Sequence, residues 1–347
     1  MSRKTVQHRY FTEEKWAEVN KENKQLYDEF FVYCRSTDKS PDTIESYASN
    51  LRIWFLWMLD YANNKRFYDI TKRDIMNFQD WMMNKQGLSS NRVRQLKSSV
   101  SSMSNFIVDM LDKEYPDFKN IVNKIKPPAK QSVREKTVLS NEQVEELLKK
   151  LVDMKKYQQA CLLACLAGSG VRKGEIIQFK VNFFDDSRYD EESGFYVTAE
   201  IRTKGAGRAG KIMSKFVIKD IIYPYLQLWL KQREELGINC EELFVSKYGG
   251  ETKPASKDTV DSFMLTFSKL TGLDIYCHAF RHYAATWLKK NGVEISKIRD
   301  FLGHNDSSTT EIYIDIGKED NLKDMLGFMK KIKVEEVIED IDEKDED

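Results

Sequence analysis

Polar side chains able to bind an anion or to move a proton stand in short segments of the second half of the chain, among small and apolar neighbours. In chain order they are Arg172, Glu175, Lys204, His278, Arg281, His282, His304 and Tyr313. Taken singly, each has an ordinary structural explanation, such as an ion pair on a helix surface or a tyrosine in the core. Taken together, they are the residue types that the transfer of a phosphodiester needs.

Attack of an oxygen nucleophile on a phosphodiester passes through a pentacoordinate state with added negative charge. Two arginine guanidiniums can bind the non-bridging oxygens of that state in a bidentate manner. A lysine can protonate the leaving 5′ oxygen, a histidine can accept a proton from the nucleophile, and a tyrosine hydroxyl can form a covalent intermediate. Because fixed cations can carry the charge, we expect the reaction to need no metal ion and no cofactor.

The order and spacing of these motifs resemble the tyrosine recombinases of the phage integrase and Xer type, over about residues 20–330. The resemblance lies in Ser-Gly-Val-Arg-Lys-Gly-Glu at 169–175, Thr-Lys-Gly at 203–205, His-Ala-Phe-Arg-His at 278–282, Leu-Gly-His at 302–304 and Ser-Thr-Thr-Glu-Ile-Tyr at 308–313. Each motif alone is a weak signal, but five motifs in the family's order are a strong one.

The resemblance implies how the phosphate is held and how the leaving group is protonated. Arg172 and Arg281 would bind the scissile phosphate, and Lys204 would be the general acid on a β-hairpin. Lys211 is a second candidate for the acid, although Lys204 directly follows a strand-like run. Glu175 would support the site by orienting a neighbouring side chain.

The resemblance also assigns the base and the nucleophile. His278 would be the general base or a phosphate ligand, and His304 a further hydrogen-bond donor to the phosphate. Tyr313 would attack the DNA and form a 3′-phosphotyrosine link. His282, next to Arg281, is expected to be structural.

Hydrophobic periodicity predicts the elements that must position these residues: a mainly α protein with a small antiparallel β-sheet. Residues 11–35, 41–58, 71–86 and 89–106 have helical spacing and predict a compact unit of four or five helices. A second, α+β unit opens with a capping box at Ser140 and Gln143. Its predicted helices are 141–155, 157–170, 219–236, 256–271, 278–291 and 294–302, with strands in 193–204 and 211–218 around a glycine-rich turn.

Composition and the resemblance together predict five segments. A polar, Pro-containing stretch without apolar period separates the two units, and the last residues are strongly acidic. The segments are an N-terminal arm (1–19), a SAM-like core-binding domain (20–122), a linker (123–137), a catalytic domain (138–331) and an acidic tail (332–347).

The formal net charge of zero conceals a basic first third. Residues 1–136 hold 24 Lys and Arg against 18 Asp and Glu, whereas residues 335–347 hold nine acids and one lysine. A basic helical unit favours a polyanion partner, although a solvated charged surface is an alternative. We expect Arg92, Arg94 and Lys97, on a serine-rich helix, to face DNA, because short serine side chains allow close approach to phosphates.

Several classes of protein are excluded by composition. The longest apolar run, near residues 161–167, is far shorter than the roughly 20 residues of a membrane-spanning helix. Five cysteines and four histidines, without paired spacing, indicate neither a disulfide framework nor a zinc site. We therefore expect no membrane association and a reducing compartment, the cytoplasm of a bacterial or archaeal cell or of a phage-infected host.

The predicted function is that of a site-specific DNA recombinase, an integrase that inserts or excises a phage or another mobile element. The resemblance implies a homotetramer on double-stranded DNA with inverted-repeat core sites, exchanging strands through a Holliday junction. The short segment before the first helix favours the simpler two-domain type. An Xer-type dimer resolvase, a DNA invertase, a type IB topoisomerase and a catalytically silent DNA-binding relative are the alternatives.

Overall fold

The computed structural model describes residues 10–129 and 139–303, apart from residues 206 and 208. These residues form two compact units, divided near residue 135. The helices predominate and the strands are short and antiparallel, so the predicted fold class is confirmed. None of the helices in the described ranges is long and apolar enough to cross a bilayer.

Two of the predicted catalytic residues, His304 and Tyr313, lie outside the described residues. The same holds for residues 1–9 of the predicted arm, for most of the predicted linker and for the acidic tail. The site described below is therefore built from Arg172, Glu175, Lys204, His278 and Arg281.

The first unit is helical, as predicted. Its α-helices are α1 (Glu13–Glu18), α2 (Lys21–Ser36), α3 (Pro41–Tyr61), α4 (Lys72–Asp80) and α5 (Ser90–Met110). The run predicted as one helix over 11–35 is two helices, because the side chain of Asn20 accepts the backbone N–H of Glu22 and begins a new helix there. Ser40 caps α3 with Pro41 at its first turn, in agreement with the sequence prediction.

Aromatic side chains fill the core of the first unit. Trp54 and Trp57, both on α3, stack with ring centroids 5.4 Å apart, and Phe78 meets Trp54 edge-on at 4.8 Å. After α4 the chain makes a π-helical turn at Trp81–Lys85, which turns Trp81 into the same cluster. Large rigid rings bury much apolar area for little lost side-chain entropy, so they stabilise a unit of about one hundred residues well.

The second unit has seven α-helices among the described residues. They are α6 (Asn141–Asp153), α7 (Tyr157–Ser169), α8 (Lys173–Ile176), α9 (Lys219–Glu235), α10 (Lys257–Thr271), α11 (Cys277–Lys290) and α12 (Ile295–Leu302). The capping box predicted at the start of α6 is present: Ser140 Oγ accepts the Gln143 N–H at 3.2 Å, and Gln143 Oε1 accepts the Ser140 N–H at 2.9 Å. The other long helices match the predicted ranges within two residues.

Seven short strands form three antiparallel sheets in the second unit. They are β1 (Tyr189–Asp190), β2 (Phe195–Val197), β3 (Ile201–Thr203), β4 (Lys211–Met213), β5 (Phe216–Ile218), β6 (Val245–Tyr248) and β7 (Glu251–Pro254). The predicted glycine-rich hairpin is confirmed, because β3 pairs with β4 and Thr203 lies opposite Lys211. The β6–β7 hairpin was not predicted, and its turn is Gly249-Gly250, with both residues at positive φ.

Helix α7 is the central element of the second unit. Every residue from Ala160 to Ser169 is buried, and the helix packs mainly against α9 and α11. It ends at Gly170, which adopts the left-handed conformation with φ 59°. Arg172 follows two residues later, directly before α8. The buried helix therefore fixes the position of the short segment that carries Arg172 and Glu175.

Candidate active site

Arg172 and Glu175 are held together at the start of α8. Arg172 is the residue before the helix, and its Nη1 donates to Glu175 Oε1 at 2.9 Å. The backbone N–H of Arg172 donates to the other carboxylate oxygen, also at 2.9 Å. About 31% of the Arg172 side chain is exposed, whereas only 2% of the Glu175 side chain is. The buried carboxylate therefore fixes a guanidinium that stays open to an external anion.

The charge of Glu175 is maintained by its neighbours. Burial by itself raises the pKa of this carboxyl, but the positive charge of Lys215 and the charge and hydrogen bonds of Arg172 lower it further than burial raises it. The net shift of the Glu175 pKa is downward, so the group is an anion at neutral pH. It acts as an acceptor that orients cations, in keeping with the supporting role predicted for it.

Arg281 stands on α11 with 1% of its surface exposed. Its Nη1 donates to the carbonyl of Gly170 at 2.8 Å, and its Nη2 donates to the carbonyl of Leu302 at 2.7 Å. Gly170 ends α7 and Leu302 is the last residue of α12, so one guanidinium binds the carbonyl ends of two helices. Arg281 therefore joins three helices and stands beside the loop that leads to Arg172.

Gly170 must be glycine for two reasons. Its φ of 59° is strained for other residues, and a Cβ there would lie 2.5 Å from Leu302 Cδ2. We expect Gly170→Ala to lower the free energy of unfolding by roughly 2–4 kcal/mol, measured by urea denaturation.

Gly272 provides the matched control for that substitution. It ends α10 with φ 73°, and a Cβ there would meet nothing within 4 Å. Gly272→Ala should therefore carry only the backbone strain, roughly 1–2 kcal/mol. Equal losses in the two variants would contradict the close approach of Leu302 to Gly170.

The two histidines of α11 differ in exposure. His278, the predicted base or phosphate ligand, is exposed in the first turn of the helix, three residues before Arg281. His282 is 7% exposed, and its ring meets that of His278 edge-on at 4.8 Å. The structure therefore places His278 on the surface, on the same helix as Arg281, and His282 in the packed interior.

Lys204, the predicted general acid, is exposed directly after β3. Lys211, the second candidate, begins β4, and its carbonyl accepts a hydrogen bond from Thr203 Oγ1 at 3.0 Å. Both lysines belong to the same hairpin, as predicted. The position of Lys204 at the turn leaves its ammonium at the surface of the unit.

Sequence reasoning missed a third lysine, Lys215. Its side chain is 2% exposed, and its Nζ lies 3.6 Å from Glu175 Oε2. The sequence signal for it is short: Lys215 directly precedes β5 and stands two residues before Val217, a core residue, so it shares the inward face of that residue. A buried lysine is rare and marks a functional or strongly paired group.

In the first unit, the structure corrects the expectation for Lys97. This lysine is 6% exposed, and its Nζ donates to Gln79 Oε1 and to the carbonyl of Ile125, both at 2.7 Å. Burial, together with the charge of Arg94, lowers the pKa of Lys97 to about 8. Lys97 therefore binds the chain that leaves α5 and does not lie on a surface that could meet DNA.

Arg92 and Arg94 stay partly exposed on α5. Arg92 Nη1 donates to Gln95 Oε1 at 2.8 Å, and Arg94 Nε donates to the carbonyl of Pro128 at 2.9 Å. The serines of this helix also differ from the expectation, because Ser99 and Ser104 are buried and serve helix packing.

Within the described residues, the second unit thus holds two guanidiniums, one buried carboxylate and one buried ammonium around the end of α7. No group of three His, Cys, Asp or Glu side chains in those residues could hold a metal ion. The cations outnumber the single carboxylate, so the arrangement suits an oxyanion ligand such as a phosphodiester.

Comparisons with known proteins agree with this chemistry. The profile of the phage integrase family matches residues 137–320, just over half of the chain, and the profile of the N-terminal SAM-like domain of phage integrases matches residues 26–117. The SPbeta prophage-derived recombinase-like protein YomM of Bacillus subtilis is 29% identical over 87% of this chain and 89% of its own. Tyrosine recombinase XerA of Pyrococcus horikoshii is 27% identical over 84% of this chain and 89% of its own.

The fold is also that of a solved integrase. The lambda integrase dimer bound to a COC′ core site has a TM-score of 0.61, with 16% sequence identity, over 91% of this chain and 85% of that one. At that identity the likeness shows the fold alone, and the phage integrase profile, which matches more than half of the chain, shows the family. The chain therefore belongs to the phage integrase family and is a tyrosine site-specific recombinase.

Proposed function

We propose that this recombinase cuts and rejoins DNA with Arg172 and Arg281 on the scissile phosphate and Tyr313 as the nucleophile. The observation that carries the proposal is the geometry around Gly170. Arg281 binds the carbonyl of Gly170, and Arg172 follows Gly170 by two residues, so both arginines meet at the end of one buried helix. Two guanidiniums fixed in this way can neutralise the charge that develops on a phosphodiester.

In the proposed step, the Tyr313 oxygen attacks phosphorus while the bond from phosphorus to the 5′ oxygen breaks. The tyrosine proton passes to His278, and Lys204 donates a proton to the leaving 5′ oxygen. His304 donates a further hydrogen bond to the phosphate. The product is a 3′-phosphotyrosine and a free 5′ hydroxyl, and rejoining is the reverse reaction with another 5′ hydroxyl. One phosphodiester replaces another, so the step consumes no high-energy cofactor.

The DNA partner and the assembly are part of the same proposal. We assign core-binding to residues 20–122, the linker to 123–137, catalysis to 138–331 and a tail to 332–347. Arg92 and Arg94 are the proposed DNA-facing residues; Lys97 is not included because it is buried. The substrate is double-stranded DNA with inverted-repeat core sites, held by a homotetramer that passes through a Holliday junction. The proposed location is the cytoplasm of a bacterial or archaeal cell or of an infected host.

Within the family, integration or excision of a mobile element is the favoured reaction. A relative with a prophage-derived name, aligned over most of both chains, supports it. The Xer relatives support the second candidate, resolution of replicon dimers by the same chemistry.

Plasmid recombination separates a site-specific recombinase from a topoisomerase and from a silent DNA-binding relative. The DNA that flanks the gene is cloned once or twice into a supercoiled plasmid and incubated with the protein. A recombinase should give deletion or inversion products only from the plasmid with two sites. Relaxation of every plasmid regardless of site would indicate a type IB topoisomerase. Binding without either product, on DNA that includes both element ends, would indicate a silent relative.

A further inference from the structure

Lys215 is a buried charged group near the end of α7 to which the proposed reaction gives no part. It lies between β4 and β5, and its backbone is fixed by Thr198, which is itself 1% exposed. The N–H of Lys215 donates to Thr198 Oγ1 at 2.8 Å, and the N–H of Thr198 donates to the Lys215 carbonyl at 2.9 Å. This exchange directs the side chain inward and leaves it little freedom.

The Lys215 ammonium reaches the junction of three elements. It lies 3.6 Å from Glu175 Oε2 on α8, and a Cβ on Gly303 would lie 2.9 Å from its Nζ. Gly303 ends α12 and directly precedes His304. Among the described residues, Nζ has no partner within hydrogen-bond distance, although it is fully enclosed.

A buried ammonium in this state is costly for the fold. Desolvation disfavours its charge, and two further cations, Arg172 and Arg281, act on it unfavourably, so only Glu175 opposes these effects. Replacing a buried pair of opposite charges by apolar side chains of similar volume is often neutral for a fold. The presence of a lysine here therefore points to a need for its charge at the site.

The positive charge of Lys215 acts on the carboxyl group of Glu175. Among the single interactions that lower the pKa of this carboxyl, the positive charge of Lys215 is the largest, and Arg172 adds two hydrogen bonds and its own charge. The anion in turn binds both the backbone and the guanidinium of Arg172. A protonated Glu175 would accept only a weak hydrogen bond from the Arg172 guanidinium. Because about one third of the Arg172 side chain is exposed, it could then adopt other rotamers.

We propose that Lys215 is a positioning residue of the recombination site, whose buried positive charge keeps Glu175 negatively charged and thereby holds the Arg172 guanidinium where it binds the scissile phosphate. This inference rests on the proposed function, because it assigns Arg172 to the phosphate. Lys215 acts through Glu175 and Arg172 and is distinct from Lys204, the proposed acid on the hairpin.

The test compares Lys215→Met with wild type in the rate of covalent adduct formation between pH 5 and 8. Removing the cation raises the Glu175 pKa, so the loss of activity at low pH should begin at a higher pH in the variant. At a pH where Glu175 is protonated in the variant but not in wild type, the rate should fall by up to about 10–100-fold, the range for losing orientation of one phosphate-binding group. Lys215→Arg, which keeps the charge, should recover most of the low-pH activity.

The other titratable groups of the site do not produce this difference. Burial raises the pKa of the Cys277 thiol to about 12, and Arg172 and Arg281 stay charged throughout the range. His278 is present in both proteins, so its contribution is the same in the two profiles. Lys180→Met is the matched control, because Lys180 pairs with Glu241 at 2.6 Å on the surface, and it should leave the rate and the pH profile unchanged.

Two further measurements keep the inference separate from the proposed function. The Glu175 carboxyl is followed by carbon NMR in protein with labelled glutamate, its signal assigned by its loss in Glu175→Gln. A higher Glu175 pKa in Lys215→Met supports the inference even if wild type forms no adduct, a result that would overturn only the proposed function. The double variant Lys215→Met/Glu175→Gln should be no slower than Glu175→Gln alone.

Three results would overturn the inference. The first is a pH profile of adduct formation in Lys215→Met that matches that of wild type. The second is a Glu175 pKa that is the same in Lys215→Met and in wild type. The third is additive losses in the double variant, which would mean that Lys215 acts independently of Glu175. If Lys215→Met does not fold by circular dichroism, Lys215→Gln and the double variant, which lacks both charges, give the same comparisons.

Discussion

Replacing Tyr313 by Phe is expected to abolish the covalent protein–DNA adduct, with a fall in rate of at least about 10⁴-fold, because phenylalanine has no oxygen with which to attack phosphorus. The residue lies at the end of the Ser-Thr-Thr-Glu-Ile-Tyr motif, ten residues after Gly303. Both proteins are incubated with DNA flanking the gene, without added metal, and the products are separated on denaturing gels. Native-gel binding should be the same for both.

Tyr61→Phe is the control for that experiment. This tyrosine is 52% exposed on α3, so losing its hydroxyl should leave the adduct unchanged. An adduct that persists in Tyr313→Phe would exclude Tyr313 as the nucleophile. Tight binding by both proteins, with no adduct from wild type on intact and nicked sites alike, would favour a DNA-binding relative.

Replacing Arg281 by Ala is expected to remove both activity and much of the stability of the second unit. The side chain is buried, and its loss leaves the carbonyls of Gly170 and Leu302 without their donors and a cavity between three helices. The cost is roughly 3–5 kcal/mol in the free energy of unfolding, measured with urea. Adduct formation should fall at least about 10²-fold, because one phosphate-binding group is gone.

Arg172→Ala is the matched comparison, because it removes the other proposed phosphate ligand. That side chain is about one third exposed, and Glu175 keeps Lys215 as a neighbouring cation. We therefore expect a similar loss of activity with a smaller loss of stability, under about 2 kcal/mol. Equal stabilities for the two variants would contradict the role of Arg281 in joining the helix ends.

Two motifs of the second unit lie where a helix begins or ends, which made them recognisable from sequence. Arg172 and Glu175 follow the glycine that ends α7, and His278 and Arg281 share one face of α11. Capping signals and apolar spacing also predicted the helices well, since these are local properties of the chain. Gly170, Arg281 and Leu302 are far apart in the sequence, and no local pattern connects them. The hydrogen bonds from Arg281 to the carbonyls of Gly170 and Leu302 could therefore not be predicted.

Lys97 shows why one residue of the basic face of α5 was wrongly expected to face DNA. Helical periodicity places Lys97 on a polar stripe, but it does not show what packs over that stripe. In the structure the chain after α5 returns across the helix, and the carbonyl of Ile125 accepts from the Lys97 ammonium. Ser101 is likewise used within the unit, where it accepts from Asn120 Nδ2 at 2.9 Å.

Lys215 was missed for the opposite reason. Lys215 directly precedes β5 (Phe216–Ile218), and a strand of three residues is too short for its inward-facing side to be predicted from alternation in the sequence. Its partner Glu175 is forty residues earlier in the chain, and only the folded sheet brings the two together. Buried charge pairs of this kind depend on tertiary contacts that no local pattern encodes.

The bond from Arg281 to the Leu302 carbonyl has a thermodynamic consequence. Leu302 is two residues before His304 and eleven before Tyr313, so the guanidinium proposed to bind the phosphate also holds the root of the nucleophile segment. The phosphate and the Leu302 carbonyl would both accept hydrogen bonds from the Arg281 guanidinium. The coupling free energy between the two interactions is the same in either direction. Whatever breaks the bond between Arg281 and the Leu302 carbonyl must therefore alter the affinity for the phosphate by the same factor by which the phosphate alters the equilibrium of that bond.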